Sequence, residues 1–337
     1  MIAEGNADDK LPPASLTKMM TAYMVDSELG SGRMEMDELV PISVKAWKTG
    51  GSRMFIKEGT HVSVSDLLKG IVIQSGNDAS VAIAEHIAGS EDAFVDVMNQ
   101  KAVMLGMKNT QFQTSTGLPH SDQYSSARDM AILGSAIIND YPENYHLHSQ
   151  KYFTYNNIQQ YNRNRLLWSD STVDGLKTGY TAEAGYCLVA SSKRGETRMI
   201  AVVFGARSPA ARAKEVQKLL SYGFRYYETT KVAEGSTGLV KKKVWAGKSE
   251  EVTLGIDKDI MLTLARGEKE ELTTEIDLPD AIKAPVAIGE ALGNFRVILD
   301  GKVIEERPIV ALNSVEKAGL FKSLWDSLRL FIISLFG

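Results

Sequence analysis

The sequence predicts a mixed α/β (α+β) first domain with a mainly antiparallel sheet flanked by helices, then a small all-β domain and a C-terminal amphipathic helix. Three observations support this prediction. Long helical periodicities alternate with a few apolar strands over the first two thirds of the chain. Beyond Glu228, short alternating runs are broken by Gly, Pro and Asp, which is typical of an all-β domain. The final 22 residues are amphipathic. We therefore expect domains at 1–228, 229–312 and 313–337.

The composition of the 337-residue chain excludes several classes of function. The net charge of −4 offers no basic excess to neutralise phosphates, so nucleic acid is not an expected partner. A single cysteine, Cys187, allows no intrachain disulfide and no thiolate metal cluster. The five histidines show no H-E-x-x-H spacing. We therefore expect no metal and no cofactor.

Start and stop signals predict the helices of the first domain. The predicted helices are 15–29 before Gly30, 78–88 before Gly89, a helix capped by Ser90 that ends at Leu105, 126–138, and 209 to about 227. Before the last of these, residues 185–206 predict a hairpin of two apolar strands around a turn at 193–196.

The two ends of the chain add further expectations. The opening "MIAEGN" has the pattern of a strand tail that runs into a turn, so we expect a truncated N-terminal strand and a removed leader before it. The runs "EVTLGI", "IMLTLA", "LTTEIDL" and residues 295–312 predict strands of the second domain. From about Asn313 the pattern is helical again.

Three short motifs organise the chemistry, and two of them occur twice. S-x-x-K is present at Ser15–Lys18 and Ser314–Lys317, K-T-G at 48–50 and 177–179, and S-G-N once at Ser75–Asn77. The order S-x-x-K, S-x-N, K-T-G is a catalytic signature. Only the first S-x-x-K and the second K-T-G satisfy this order with helix, loop and strand contexts. We interpret the other two copies as coincidental.

The chosen residues suit nucleophilic catalysis. A serine hydroxyl becomes a nucleophile only when a base takes its proton. Lys18 follows Ser15 by three positions, so both side chains lie on one helix face within hydrogen-bond reach. Lys18 must be neutral to act as the base, and the charge of Lys177 would lower its pKa. Ser75 can relay a proton to the leaving amine, and Asn77 can hold a substrate peptide group.

An acyl oxyanion needs two hydrogen-bond donors. The backbone N–H of Ser15 is one candidate, and that of Tyr180 or its neighbour, just after Gly179, is the other. We expect Gly179 to let a substrate backbone lie close against the strand edge, as in strand addition. The reaction predicted from these residues is acyl transfer through a serine ester.

The motifs and the stretches around them resemble the serine penicillin-binding proteins, and in particular the low-molecular-mass D-alanyl-D-alanine carboxypeptidases. The stretches are "AEGNADDKLPPASLTKMM", "IQSGNDASVAIAEHIAGS", "NRNRLLWSDSTVDGLKTGYTAEAGYCLVAS" and "LLSYGFRYYET". The resemblance covers essentially the whole chain. It implies a penicillin-recognising, β-lactamase-like first domain. It also implies a D,D-carboxypeptidase that removes the terminal D-alanine from peptidoglycan stem pentapeptides and is acylated by β-lactams.

The resemblance assigns a role to each matching residue. Ser15 matches the nucleophile, Lys18 its base and Ser75 the second catalytic hydroxyl. The substrate-binding positions are Asn77, Lys177, Thr178, Gly179 and Tyr180, with Arg212 for the terminal carboxylate and Arg163 as a supporting arginine near the K-T-G lysine. Three features depart from the family pattern. The strand expected before "IAEGN" is missing. Tyr180 stands where His or Thr is frequent, and the loop between Trp47 and Phe55 is short.

Two alternatives remain open from the sequence. A β-lactamase of the same fold would need a deacylating glutamate in an E-x-x-L-N setting between Asn77 and Lys177. No such string exists there, and Glu143 in "YPENYHLH" does not fit. The second alternative is a non-catalytic, membrane-attached peptidoglycan-binding protein. The presence of all the reactive residues argues against it.

The terminal segment "EKAGLFKSLWDSLRLFIISLFG" predicts attachment to a membrane surface. At 100° per residue, one face collects Leu320, Phe321, Leu324, Trp325, Leu328, Phe331, Ile332, Leu335 and Phe336. The uncharged run that ends the chain is too short to span a bilayer. Aromatic residues on the apolar face favour a helix lying in the interface. The expected location is the periplasmic face of the inner membrane, with peripheral attachment.

Overall fold

The computed structural model describes residues 1–336, without the side chains of 333–336. The chain forms two compact units, Met1–Arg225 and a second that begins at Tyr226. Gly337 and the side chains of Leu335 and Phe336, which the sequence places in the amphipathic helix, lie outside the described part.

The first unit contains nine helices and seven strands within the described residues. The helices are α1 (Lys18–Gly30), α2 (Val44–Lys48), α3 (Val64–Lys69), α4 (Asn77–Ala88), α5 (Glu91–Met104), α6 (Ala127–Asp140), α7 (Pro142–Tyr145), α8 (Leu166–Ser169) and α9 (Pro209–Tyr226). The strands are β1 (Leu39–Pro41), β2 (His61–Ser63), β3 (Tyr152–Tyr155), β4 (Ile158–Tyr161), β5 (Val173–Thr181), β6 (Gly185–Arg194) and β7 (Thr197–Ala206).

The main sheet of this unit has the antiparallel order β5-β6-β7. The predicted hairpin at 185–206 is confirmed, and its turn is tighter than expected. Arg194 pairs with Thr197, so only Gly195 and Glu196 connect the two strands. Gly195 has φ +58°, which a two-residue hairpin turn requires.

Capping explains the ends of several predicted helices. The hydroxyl of Ser90 accepts from the Ala93 N–H at 3.2 Å, and that of Ser126 accepts from the Asp129 N–H at 3.1 Å. Gly89 ends α4 in the left-handed conformation with φ +78°. These three signals are local, which is why the sequence located α4, α5 and α6 to within about two residues.

The first predicted helix is wrong at both ends. Residues Ala14–Thr17 form a 3₁₀ turn, and the α-helix begins only at Lys18. Gly30 is the last residue of α1, and the positive φ of +70° falls on Gly32. Every residue of α1 from Lys18 to Asp26 is buried, because the helix lies between two hydrophobic clusters. A helix enclosed on all sides has a broad apolar surface rather than a stripe.

The opening residues form no strand. Residues 1–4 are irregular, and the first pairing is an isolated bridge between Leu11 and Ser125. The expectation that "MIAEGN" continues a strand is therefore wrong. An irregular backbone rather than a sheet edge leads into the turn that holds Ser15.

The second unit contains a six-stranded sheet of order β12-β14-β15-β10-β9-β13 and a two-stranded sheet of β8 and β11. The strands are β8 (Tyr227–Ala233), β9 (Gly238–Trp245), β10 (Glu251–Gly255), β11 (Ile260–Ala265), β12 (Thr273–Asp277), β13 (Ile282–Lys283), β14 (Ala291–Leu299) and β15 (Lys302–Ala311). The predicted β runs all fall on these strands.

The terminal helix α10 (Leu320–Phe336) begins later than the pattern indicated. Residues 313–319 are extended, and Val315 and Lys317 form bridges with Val286 and Gly247. Val315 is buried in the core of this unit. The prediction that a helix begins at about Asn313 is therefore wrong, because residues 313–319 belong to the β domain.

Candidate active site

The turn that carries Ser15 has an unusual backbone. Ala14 has φ +48°, a left-handed conformation that costs energy for a residue with a side chain. Gly117, with φ +78°, lies so close that an added Cβ would overlap the Ala14 carbonyl oxygen. In the 3₁₀ turn the side chains at i and i+3 are eclipsed, which aligns Ser15 with Lys18.

Lys18 is completely enclosed and fully hydrogen-bonded. Its Nζ donates to Ser15 Oγ at 3.1 Å, to Asn77 Oδ1 at 2.6 Å and to the Thr116 carbonyl at 2.5 Å. Burial and the charge of Arg163 lower the pKa of Lys18 to about 7. A lysine with this pKa is partly neutral near neutral pH and can accept a proton from the serine.

Asn77 connects the lysine to the loop that follows α2. Its Oδ1 accepts from Lys18, while its Nδ2 donates to the Gly50 carbonyl at 2.7 Å. The neighbouring carboxylate of Asp78 accepts from the N–H groups of Met54, Phe55 and Ile56 at 2.9–3.3 Å. The start of α4 therefore fixes the loop between Trp47 and Phe55 beside the site.

Ser75 has a strained backbone and an unsatisfied side chain. It follows a π-helical turn, Gly70–Gln74, and has φ +65° in the left-handed region. Its buried Oγ has no hydrogen-bond partner within residues 1–336. A buried hydroxyl without a partner is costly, and because Ser75 lines the cavity of the site, a ligand there could supply the missing partner. The structure shows no direct bond between Ser75 and Lys18.

Strand β5 brings the K-T-G residues to the serine turn. Lys177 is buried, and its Nζ donates to the Thr178 carbonyl at 3.0 Å. Burial, then the charge of Lys18, lowers the pKa of Lys177 well below its usual value. An added Cβ at Gly179 would approach the Pro13 carbonyl oxygen to 3.0 Å. Gly179 therefore allows β5 to lie close to the turn that carries Ser15. We had expected this glycine to make room for the substrate backbone instead.

Arg212, on α9, lies under an aromatic pair. Its Nη1 donates to the carbonyls of Gly179 at 3.1 Å and Cys187 at 3.4 Å, and its guanidinium lies 5.6 Å from the Tyr186 ring centre. Tyr180 stacks on Tyr186 with ring centres 4.3 Å apart. Both hydrogen bonds use Nη1, and Arg212 also lines the cavity of the site.

The predicted residues meet in one cavity of about 390 Å³. Its lining includes Ser15, Ser75, Asn77, Arg163, Thr178, Gly179, Tyr180 and Arg212. Lys18 and Lys177 lie buried behind this surface. The cavity lining also includes eight residues that were not expected, Gly51, Ser52, Thr116, Gly117, Leu118, Thr181, Tyr186 and Pro209.

Most of the unexpected residues had no usable signal in the sequence. Thr116 acts through its carbonyl oxygen, which every residue type carries. Gly51 follows the K-T-G at 48–50, the copy that we interpret as coincidental. It has φ +82° and an added Cβ would lie 2.6 Å from Asn77 Nδ2, so a glycine is required there.

The rejected motif copies have different environments. Ser314 is exposed on an extended segment of the second unit, so it shares no helix face with Lys317. Lys48 is exposed at the end of α2, although the backbone of Gly50 contacts Asn77. Glu143 is exposed on α7 and does not line the cavity.

A serine held against a buried lysine of lowered pKa, in a cavity with an arginine, can support acyl transfer to an anionic substrate. The fold and this arrangement define the class of active-serine penicillin-recognising proteins. Residues 1–208 match the family model described as D-alanyl-D-alanine carboxypeptidase, and residues 227–317 match the C-terminal domain of penicillin-binding protein 5. The chain belongs to this D-alanyl-D-alanine carboxypeptidase family.

Relatives and solved structures agree with this assignment. The chain is 45% identical over 345 residues to D-alanyl-D-alanine carboxypeptidase DacC of Escherichia coli K12, covering 100% of this chain and 86% of the relative. It is 40% identical over 329 residues to D-alanyl-D-alanine carboxypeptidase DacF of Bacillus subtilis, covering 95% of this chain and 83% of the relative. Penicillin-binding protein 5 from Haemophilus influenzae matches with a TM-score of 0.83, 42% identity and 94% of both chains. Penicillin-binding protein D2 from Listeria monocytogenes, in its ampicillin-bound form, matches with a TM-score of 0.61 and 32% identity. The match covers 66% of this chain and 91% of that structure.

Proposed function

We infer that this chain is a serine-type D-alanyl-D-alanine carboxypeptidase that removes the terminal D-alanine from peptidoglycan stem pentapeptides. The observation that supports it most directly is the contact between Lys18 Nζ and Ser15 Oγ at 3.1 Å, beside a cavity lined by Arg212. The family match supports the same reaction. β-Lactams acylate the same serine as substrate mimics.

In the acylation step, Ser15 Oγ attacks the carbonyl carbon of the penultimate D-alanine. The hydroxyl proton passes to neutral Lys18. The backbone N–H groups of Ser15 and Tyr180 stabilise the oxyanion. Collapse of the tetrahedral intermediate breaks the C–N bond, and the leaving amine takes a proton through Ser75. Arg212 holds the terminal carboxylate in a charge-assisted pair.

Deacylation returns the enzyme to its starting state. Water attacks the serine ester, its proton passes to Lys18, and Ser15 leaves with a proton restored to its oxygen. Thr178 and Gly179 hold the substrate along β5, Lys177 and Arg163 keep the cavity positive, and the second N–H of Asn77 contacts the substrate peptide. With a β-lactam, the attack opens the ring and the leaving nitrogen stays attached.

We propose that residues 1–228 form the catalytic domain and 229–312, with the extended segment 313–319 that packs on it, the β domain, while α10 bears the anchor on the periplasmic face of the inner membrane. Within the described residues, no helix has the length and apolar character needed to cross a bilayer. Leu320, Phe321, Leu324, Trp325, Leu328, Phe331 and Ile332 are all exposed on α10.

The contacts of α10 support attachment to a membrane surface. Asp326, on the polar side of the helix, accepts from the Ala246 N–H at 3.0 Å. A helix packed on its own domain would bury its apolar face, whereas α10 contacts Ala246, just after β9, through a carboxylate and exposes aromatic residues. Phe321 is 96% exposed and Trp325 62% exposed. Such a face is suited to the boundary between lipid headgroups and acyl chains.

Two measurements on the full chain test the proposed function. Product analysis with a D-Ala-D-Ala peptide is expected to show one D-alanine released per peptide. Fluorescent penicillin is expected to label the protein covalently, and the label is expected to be released slowly by hydrolysis of the acyl-enzyme. Rapid turnover of penicillin without D-alanine release would favour a β-lactamase. No labelling and no release would favour a binding protein.

A further inference from the structure

Two stacked tyrosine side chains line the catalytic cavity without a part in the reaction described above. Tyr180 on β5 and Tyr186 on β6 lie opposite each other in the antiparallel register, and their ring centres are 4.3 Å apart. Both line the cavity, where Tyr180 is 53% exposed. The mechanism uses only the backbone N–H of Tyr180. The two rings together form an aromatic wall of the cavity.

Arg212 is held to the same two strands as the aromatic wall. Its Nη1 donates to the carbonyl of Gly179, the residue before Tyr180, at 3.1 Å. The same nitrogen donates to the carbonyl of Cys187, the residue after Tyr186, at 3.4 Å. The guanidinium carbon lies 5.6 Å from the centre of the Tyr186 ring. These contacts fix the position of the arginine relative to the wall.

The covalent structure of the substrate places its last side chain near this arginine. In the proposed mechanism the terminal carboxylate pairs with Arg212. The carboxylate carbon and the first side-chain carbon of an amino acid are bonded to the same Cα, so they lie about 2.5 Å apart. The side chain of the terminal residue therefore lies in the region of the cavity where the guanidinium meets the aromatic wall.

The surroundings of this region favour a small apolar group. Aromatic rings offer a large apolar surface against which a methyl group can be buried. None of the described residues that line the cavity is an aspartate or a glutamate, whereas Arg163 and Arg212 both line it. A cationic side chain on the terminal residue would therefore meet two like charges and no counterion. A short aliphatic side chain meets no such penalty.

We propose that the Tyr180–Tyr186 wall recognises the side chain of the terminal D-residue and makes the enzyme select a methyl group there. This rests on the proposed function, because it requires the substrate carboxylate at Arg212. The contact is made by the ring faces and not by the phenol hydroxyls. Burial of one methyl group against the rings predicts a kcat/KM about fourfold higher for a terminal D-alanine than for a terminal glycine.

The test uses three peptides that differ only in their last residue, which is D-alanine, glycine or D-lysine. The kcat/KM is measured for each peptide, and the ratio of D-alanine to glycine is compared between variants. Tyr180→Thr/Tyr186→Thr removes both rings but keeps residue types that favour strands. Tyr180→Phe/Tyr186→Phe keeps the rings and removes the hydroxyls. The matched control is Tyr152→Thr, at a tyrosine on β3 that is 55% exposed and does not line the cavity.

The ratio of D-alanine to glycine is expected to fall about fourfold in the double Thr variant and to match the wild type in the double Phe variant and in Tyr152→Thr. The D-lysine peptide is expected to be the slowest substrate of the wild type. An unchanged ratio in the double Thr variant, an equal fall in the double Phe variant, or equal rates on D-lysine and D-alanine would overturn the wall.

Two further readouts keep these outcomes distinct. Fluorescent penicillin labelling reports whether the active site of each variant is folded, and Tyr180→Thr alone replaces the double Thr variant if that variant does not label. A wild type that releases no residue from any of the three peptides would refute the proposed function and the wall with it. A wild type that releases D-alanine, with a ratio that does not depend on the rings, would overturn the wall alone.

Discussion

Lys18 Nζ lies 3.1 Å from Ser15 Oγ, and two further contacts that do not involve the serine hold the same nitrogen. Asn77 Oδ1 and the Thr116 carbonyl fix the lysine from a different helix and a loop. In the proposed mechanism the base is therefore positioned before the nucleophile reacts, and it stays in place when the serine becomes an ester. Such preorganisation is the condition for using one base in both acylation and deacylation.

Replacement of the nucleophile should remove all chemistry. We expect Ser15→Ala to abolish penicillin labelling and to reduce D-alanine release by about 10⁵-fold or more, as when one member of a catalytic unit is removed. The folded structure should persist, because Asn77 and Thr116 still hold Lys18. The measurements are gel fluorescence and product analysis.

The second S-x-x-K copy provides the matched control. Ser314 is exposed on an extended segment of the β domain. Ser314→Ala is expected to label and turn over like the wild type. Loss of activity in this variant, with Ser15→Ala active, would show that the wrong copy was chosen.

Acylation should depend on pH through the base. Because the pKa of Lys18 is lowered to about 7, the neutral form predominates above that pH and the ammonium below it. The second-order rate of penicillin acylation should be level above about pH 8 and fall towards tenfold per pH unit well below 7. Lys18→Arg should acylate poorly at every pH, since arginine does not lose its proton. A flat profile for the wild type would contradict this role of Lys18.

Arg212 should discriminate peptide from penicillin. A lost charge-assisted pair with the terminal carboxylate is expected to cost about 2–4 kcal/mol in kcat/KM for a D-Ala-D-Ala peptide. Some penicillin acylation should remain in Arg212→Ala, because Ser15 and Lys18 are intact. A peptide amidated at its C-terminus is the control. Its kcat/KM should differ little between the wild type and Arg212→Ala, because it has no terminal carboxylate. Unchanged kinetics on the free-acid peptide would refute the assignment.

Asp26 links stability to pH. It is buried in α1, where its Oδ1 accepts from Asn144 Nδ2 at 2.9 Å, and burial raises its pKa to about 7. In the unfolded chain a carboxyl group loses its proton near pH 4. Between about pH 4 and 7 the folded state therefore binds more protons, so the Asp26 contribution to stability falls as pH rises.

Removal of that charge should stabilise the protein on the alkaline side. We expect Asp26→Asn to raise the free energy of unfolding by about 4 kcal/mol at pH 8 and by only about 1.5 kcal/mol at pH 5. Thermal unfolding at both pH values measures this difference. Asp37→Asn, at an exposed site, is the control. An equal effect of Asp26→Asn at pH 5 and pH 8 would contradict the pKa assignment.

Membrane attachment should depend on the aromatic face of α10. Replacement of Phe321 and Trp325 together by Ser is expected to reduce binding to phosphatidylethanolamine–phosphatidylglycerol vesicles by about 100-fold or more. Val303→Ser, at an exposed apolar site on β15, is the control. Vesicle flotation measures the bound fraction, and full binding by the double variant would locate the anchor elsewhere.

Truncation offers a second test of the anchor, and its position matters. Val315 is buried in the β domain, so a cut after Asn313 would remove part of the core. A cut after Gly319 keeps both bridges of that segment. We expect this shorter deletion to give an active enzyme that no longer floats with vesicles.

The motifs allowed much of the site to be predicted. Residue type and order predicted Ser15, Lys18, Ser75, Asn77 and Lys177, because catalysis requires particular functional groups, and the structure brings them together at one cavity. Their contacts were only partly foreseen. Asn77 is engaged with Lys18 and Gly50 inside the protein, and Ser75 has no bond to Lys18.

The sequence by itself determined the helix ends marked by Ser90, Ser126 and Gly89, and it predicted which side chains are reactive, since caps and motifs are local. Tertiary structure decided what depends on distant parts of the chain meeting. The Thr116 and Gly50 carbonyls became parts of the site because backbone atoms carry no residue-specific signal. The pKa of Lys18 is lowered because several elements enclose it.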